Sequence, residues 1–288
     1  MTGAEGPGTM RPRSGRSLQA IGVGTWTFGG TPGGPQAERE ADAIRQAIAL
    51  GQNHIDTAED YADGGAEEVV GQAIAGLRRE DLFIASKLWK NHVAVGTVGP
   101  AVEAMLRRLR TDYLDLLYIH HPWPKAPWRD ALPQIDRLID EGIVRHLGVS
   151  NFNVEQLREA AARSRHPIAA NQVRYSCDWQ LAASTALVNW CRAHDVAIVA
   201  YRPLNDARLI DNPVLAAIGS RQHATPAQVA LAWLVTKRAL PIPKALAADH
   251  VRQNAAAARV RLSMGDIALI ERSFRLPPVE KHREEGRI

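Results

Sequence analysis

Eight short apolar runs alternate with stretches of helical hydrophobic spacing along the 288 residues, and no linker interrupts the alternation. The runs fall at residues 21–26, 53–57, 82–88, 115–120, 145–150, 169–173, 197–201 and 240–243. Helical spacing fills residues 37–50, 66–77, 99–110, 128–141, 154–164, 181–194, 226–237 and 249–258, as with Ala41, Ile44 and Ile48 in the first. Gly51 and Gly142 each stand where a helix should stop, and Thr225-Pro226 supplies a cap followed by a first-turn proline. Successive strands joined through helices lie parallel, and eight such units close into a single (β/α)8 TIM barrel. A doubly wound sheet would want a glycine-rich phosphate loop after its first strand. Gly22 and Gly24 instead lie within the strand, and Gly29-Gly30 completes no such pattern.

Two pieces fall outside the alternation. Residues 10–20, with a Ser14-Gly15 turn signal, predict an N-terminal hairpin closing the bottom of the barrel, and residues 263–274 predict an extra C-terminal helix. The expectation is one domain over residues 1–288, loose at 1–9 and ending in a short polar tail at 275–288.

Composition excludes some partners. The net charge is +4, from 35 basic and 31 acidic residues, and the arginines are scattered. A nucleic-acid surface would gather them into a stripe with aromatic partners, so no nucleic acid is expected. No apolar stretch is long enough to span a membrane. Cys177 and Cys191 have neither metal-ligand spacing nor a disulfide framework. Residues 1–16 hold no apolar core of a secretory signal. The expectation is a cytoplasmic protein, a monomer or weak oligomer, with no metal.

Four polar side chains stand at or just past strand ends: Asp56, Tyr61, Lys87 and His120. The C-terminal strand ends of a parallel barrel converge on one mouth, where its chemistry is done. A carboxylate, a phenol, an ammonium and an imidazole gathered there make a proton-transfer group. Singly, each has an ordinary reading as a turn cap, a solvated strand end or a structural histidine. His121 is a rival to His120.

The segments Gly22-Val23-Gly24-Thr25-Trp26, Asp56-Thr57-Ala58-Glu59-Asp60-Tyr61, Ile119-His120-His121-Pro122 and Gly148-Val149-Ser150-Asn151-Phe152 resemble the aldo-keto reductases. So do Asn171-Gln172-Val173, Tyr201-Arg202-Pro203-Leu204 and Ile242-Pro243-Lys244, all in family order over nearly the whole chain. The resemblance implies a nicotinamide-dependent carbonyl reductase acting on a small aldehyde or ketone. Tyr61 would be the general acid, with Lys87 favouring the phenolate, Asp56 holding Lys87 charged, and His120 orienting the carbonyl. Two alternatives are a Schiff-base lyase using Lys87 and a catalytically weak, nucleotide-binding regulatory subunit.

The cofactor residues implied by the resemblance are Ser150, Asn151 and Gln172 on the nicotinamide carboxamide and Tyr201 stacked on its ring. Leu204 and Asn205 would line the pyrophosphate, with Arg202 adding charge nearby. Lys244 would meet the 2′-phosphate and ribose, and Gln253 and Asn254 the adenine. His250 stands where the pattern often has Arg, Ala245 where Ser often follows the lysine, and Gln253 replaces an acid. NADPH is therefore expected over NADH, with weakened 2′-phosphate contacts. Trp26, Trp89 and Trp123 fall at or after strand ends and would wall the substrate pocket, while Trp128 could simply begin a helix and Trp190 and Trp233 belong to the core. The glycines of residues 29–35 and 62–65 suggest flaps beside the mouth, and the short tail an open, broadly accepting site.

Overall fold

The computed structural model describes residues 10–180 and 185–274. Its strands are β1 (Val23–Gly24), β2 (His54–Asp56), β3 (Phe83–Leu88), β4 (Leu114–Ile119), β5 (Val144–Ser150), β6 (Ile168–Arg174), β7 (Ala197–Tyr201) and β8 (Ala239–Pro241). Interleaved with them are α1 (Pro35–Ala49), α2 (Gly65–Ile74), α3 (Val98–Leu109), α4 (Trp128–Asp140), α5 (Val154–Arg163), α6 (Thr185–Ala193), α7 (Pro213–Ser220), α8 (Pro226–Thr236), α9 (Ala248–Ala256) and α10 (Met264–Ser273). The strands pair in sequence order, all parallel. The ring closes where Gly22 N donates to Pro241 O at 2.9 Å and Gly24 N to Pro243 O at 3.1 Å. Gly24 is required at that seam, because a β-carbon there would meet Ile242 O at 2.5 Å.

Both faces of the strands are buried, as a parallel sheet demands. Phe83, Ala85, Leu116, Tyr118, Val199 and Leu240 belong to one apolar cluster with Met10 and Leu18. Ile84, Leu88, Leu117, Ile119 and Val149 belong to another, with Ile44, Val70, Met105, Leu132 and Trp233 from the helices. Helix starts follow local chemistry. Asn153, Thr225 and Ser263 each close a capping box, with Gln156, Gln228 and Asp266 as the reciprocal partners. α10 is the extra C-terminal helix that the sequence predicts.

The structure departs from the sequence reading in two places. Residues 10–20 form no strand pair; they keep the turn, where Gly15 N donates to Pro12 O, and cross the barrel bottom as irregular chain. Asn53 ties this segment down by donating to Ser17 O at 3.1 Å and accepting from Gln19 N, and Arg145 donates to Arg11 O. Side-chain anchors thus replace the hairpin ladder, and the buried Met10 and Leu18 plug the end. The helix α7 was not expected, although Asn212-Pro213 carries the same cap-plus-proline signal as Thr225-Pro226; Asn212 Oδ1 accepts from Val214 N and Leu215 N. The start of the helix expected at 181–194 and the whole of 1–9 and 275–288 lie outside the described residues.

Candidate active site

The pairing register sets Asp56 beside Ala85, Lys87 beside Tyr118 and Ser150 beside Gln172, so these strand ends share one mouth. Lys87 is fully buried there. Its Nζ donates to Asp56 Oδ1 and, at 2.7 Å, to Thr57 O. The same carboxylate takes a second bond from Gln172 Nε2 at 2.7 Å, across 116 residues of sequence. Burial is the largest influence and works against the Lys87 charge, but Asp56 and Tyr61 together outweigh it and the ammonium titrates above its ordinary value. The ammonium lies 4.9 Å from the centroid of the Tyr61 ring. Tyr61 sits just past β2, half-buried in a turn where Ala62 and Asp63 take left-handed backbone angles.

The Tyr61 phenol is shifted opposite to the sequence expectation. Burial pushes it up to about 12, and the Lys87 charge opposes the rise without cancelling it. The hydroxyl is thus fully protonated at neutral pH, and Lys87 limits the cost of releasing that proton. Burial lowers the His120 pKa, against the pull of Asp60, whose Oδ1 lies 3.1 Å from His120 Nδ1. That pair is misaligned for a hydrogen bond, so both atoms stay buried without a bonded partner. Asp60 escaped the sequence reading, although an acid one residue before Tyr61 was a usable signal. Its neighbour Glu59 was also missed. Glu59 accepts from Trp89 N at 2.5 Å and pairs with His92 Nδ1 at 2.8 Å, which sets the wall beside the mouth.

That wall is aromatic. The Trp89 ring lies 5.2 Å from His120 and 5.0 Å from Trp123. Trp26 is exposed and carries the Arg202 guanidinium 4.3 Å from its ring centroid. Trp128 is buried against Phe152 and belongs to the core, as do Trp190 and Trp233. Of the expected flaps, residues 31–33 and 62–63 are exposed, whereas Gly29 and Gly30 are pinned. Gly29 N and Gly30 N both donate to the buried Glu40, and a β-carbon on Gly29 would meet Ala62 Cβ at 2.2 Å. Those glycines serve close approach of the two loops.

One cleft of about 2930 Å³ joins this mouth to the far side of the barrel. It is lined by Tyr61 and His120 at one end and Lys244, His250, Gln253 and Asn254 at the other. A cavity that exceeds the roughly 300–1,000 Å³ of an ordinary ligand pocket has room for a dinucleotide and a substrate together. Along it, Ser150 Oγ donates to Gln172 O at 2.9 Å, and Tyr201 donates to Asn151 Oδ1 at 3.0 Å. Lys244 is exposed and its Nζ reaches Thr27 Oγ1, just past β1, at 2.6 Å. This donor set suits an elongated ligand with an amide-bearing ring at one end and an anion at the other.

Ser150, Asn151 and Tyr201 thus already have protein partners, and so do two more of the expected ligand groups. The Gln172 amide nitrogen is engaged by Asp56. Asn205 accepts from Arg174 at 2.8 Å and donates to Asp178 at 2.7 Å, so its side chain shapes the loop after β7. Leu204 and Arg202 line the same stretch of the cleft, where Arg202, Asn205, Asp206 and Ala207 all take positive φ.

The model of the aldo/keto reductase family matches residues 20–274. Methylglyoxal reductase YeaE of Escherichia coli (strain K12) is 37% identical over 268 residues, covering 91% of this chain and 93% of that protein. Glyoxal reductase of Bacillus subtilis (strain 168) is 32% identical over 266 residues, covering 91% of each. The crystal structure of an aldo/keto reductase from Klebsiella pneumoniae, in complex with NADP and acetate, superposes with a TM-score of 0.85 at 37% identity. That match covers 94% of this chain and 96% of the other.

Proposed function

Because the chain belongs to the aldo/keto reductase family, we propose that it reduces small aldehydes and ketones to alcohols with NADPH, and that Tyr61 supplies the proton. The observation that carries this reading is Lys87, buried between the Asp56 carboxylate and the Tyr61 ring at the barrel mouth. When bound, the reduced nicotinamide supplies a hydride to the carbonyl carbon. This chain's own groups handle the rest. Tyr61 gives its proton to the oxygen on which negative charge develops. Lys87 stabilises the phenolate left behind, and Asp56 keeps Lys87 charged and in place. His120 orients the carbonyl oxygen. Trp89 and Trp123 exclude water and pack the substrate's apolar body.

Ser150, Asn151 and Gln172 would hold the carboxamide, and Tyr201 the ring face. Leu204 and the backbone around Asn205 would follow the pyrophosphate. Lys244, with His250 and Arg202 nearby, would meet the phosphate-bearing end, and Gln253 and Asn254 the adenine. The relatives named as methylglyoxal and glyoxal reductases support small, reactive aldehydes as substrates. The charged state of Lys87 counts against Schiff-base chemistry, which needs a neutral amine. We infer one barrel domain working as a monomer or weak oligomer. Its two free, buried cysteines suit a reducing, cytoplasmic setting, and no described helix is long and apolar enough to cross a membrane.

Fluorescence titration with NADPH and NADH, followed by an aldehyde panel, tests the reading. Tighter binding of NADPH and turnover of short aldehydes are expected. NADH supporting equal or greater kcat/KM would overturn the cofactor preference, and borohydride trapping of substrate on the protein would favour the lyase.

A further inference from the structure

Asp60 comes just before Tyr61 and lines the cleft together with Tyr61 and His120. Its Oδ1 lies 3.1 Å from His120 Nδ1, and both atoms are buried without a hydrogen-bond partner. No other donor or acceptor among the described residues therefore competes for either. Nδ1 is the enclosed nitrogen of the ring, so Nε2 is the one left to meet a carbonyl oxygen in the cleft. A carboxylate oxygen only accepts, and at this distance its charge draws an imidazole proton to Nδ1. Ideal alignment is not needed for that attraction, and catalytic hydrogen bonds often tighten only once substrate is bound. A neutral ring with its proton on Nδ1 presents a lone pair at Nε2 and cannot donate to a carbonyl. Only the imidazolium carries a proton on both nitrogens.

We propose that Asp60 is a positioning residue that acts through His120: it keeps a proton on Nδ1, so that His120 orients a carbonyl oxygen only as the imidazolium. This rests on the carbonyl-reductase reading above. The His120 proton is held, not transferred; Tyr61 still supplies the one that reaches the product. The charges agree. After burial, which is the main cause, Asp60 adds to the rise of the Tyr61 phenol and so opposes release of its proton. An imidazolium at His120 offsets that negative charge. The groups facing His120 are Asp60 and Tyr61 from the turn after β2, Asp56 from β2, Lys87 from β3 and the stacked His121 beside it. Burial is the largest influence and brings His120 below its ordinary 6.5; Asp60 and Asp56 pull upward, and Lys87 downward. Tyr61 is pushed up to about 12, Lys87 lies above its ordinary value and His121 is held down to about 4, so none of these three titrates with His120. The protonated ring is the working form. Activity is therefore full at acid pH and is lost as pH rises through the His120 value.

Propanal with saturating NADPH makes the test, because saturation keeps titrations at the cofactor end out of the profile. The quantity to measure is kcat/KM for the aldehyde from about pH 5.5 to about pH 9 in the wild-type protein, Asp60→Asn and His120→Gln. The wild-type protein should lose roughly tenfold per pH unit above the His120 value. In Asp60→Asn the amide NH2 can donate to Nδ1, which returns the single proton of the neutral ring to Nε2. Its profile should flatten and exceed the wild type about tenfold at pH 8. The glutamine amide of His120→Gln donates at any pH, so that profile should flatten too. A flat wild-type profile, a falling limb retained in Asp60→Asn, or the equal loss at every pH that a merely structural role would give would overturn the assignment. Should Asp60→Asn misfold, His120→Gln decides: a flattened profile supports the imidazolium, and a retained limb places the titrating group elsewhere and overturns it. All these results leave the reductase reading intact. Wild-type failure to reduce any aldehyde would instead sink that reading and this inference with it.

Discussion

The two ends of the barrel each bury a carboxylate on a strand, but they pair it with different bases. At the bottom, Asp115 on β4 is fully buried and takes Arg79 at 2.7 Å, Arg145 at 2.6 Å and Ile84 N at 2.9 Å. At the mouth, Asp56 holds a lysine and a glutamine amide. Guanidinium groups stay protonated throughout any working pH and fork across a carboxylate, which makes a permanent brace. An ammonium is a compact charge whose pull on a neighbour depends on where it is held, which suits a group that must act on a phenol. On the proposed mechanism, the difference separates electrostatics for stability from electrostatics for chemistry by end of barrel and by choice of base.

The largest expected effect breaks the mouth. Tyr61→Phe should lower kcat by roughly 10²- to 10⁴-fold, the usual worth of a general acid, with the NADPH dissociation constant nearly unchanged. Consumption of the reduced cofactor and a fluorescence titration read these two quantities. Near-normal turnover in the variant would remove Tyr61 from the role of acid.

Breaking the bottom should do the converse. Asp115→Asn leaves Arg79 and Arg145 facing a buried neutral amide, and the loss of unfolding free energy should be about 3 kcal/mol. Urea melts measure that loss, while kcat/KM of the folded fraction should hold. A large fall in kcat/KM without a fall in stability would mean the two ends are not separate.

His54 sharpens the comparison because it lies two residues below Asp56 and senses Asp56, Lys87 and Asp115 together. Burial is the main cause that drops its pKa to about 4, and both its ring nitrogens lack partners. The unfolded chain takes up a proton near 6.5, whereas the folded chain refuses it until about 4. Its contribution is therefore full above 6.5 and lost as pH falls through 4, on the order of 3 kcal/mol. Urea midpoints between pH 7 and pH 4 should fall less steeply in His54→Leu than in the parent. Parallel profiles would assign the acid sensitivity elsewhere.

The smallest expected effect is at the cofactor end. His250 is exposed in α9 on the cleft that Lys244 lines. His250→Arg should raise the preference for NADPH over NADH by about two- to fivefold, the worth of one exposed ion pair. The ratio of the two kcat/KM values measures it, and no gain would place the 2′-phosphate away from residue 250.

The sequence by itself determined the ring of strands and what stands at their ends. A strand's end is a local property, marked where an apolar run meets Asp56, Lys87 or His120, and parallel topology then brings all such ends to one mouth. Helix caps such as Thr225 were legible for the same reason, since their partners lie within one turn. Only the tertiary structure decided which groups pair across that mouth. Gln172 bonding Asp56, Glu40 pinning Gly29 and Gly30, and Asn151 orienting His121 depend on how the closed ring aims each side chain. The same holds for residues 10–20, whose turn was local but whose anchoring on Asn53 and Arg145 replaced a hairpin. Burial also set the Tyr61 phenol above its ordinary value against the pull of Lys87. Solvent exclusion is a property of the assembled barrel, so no reading of adjacent residues contains it.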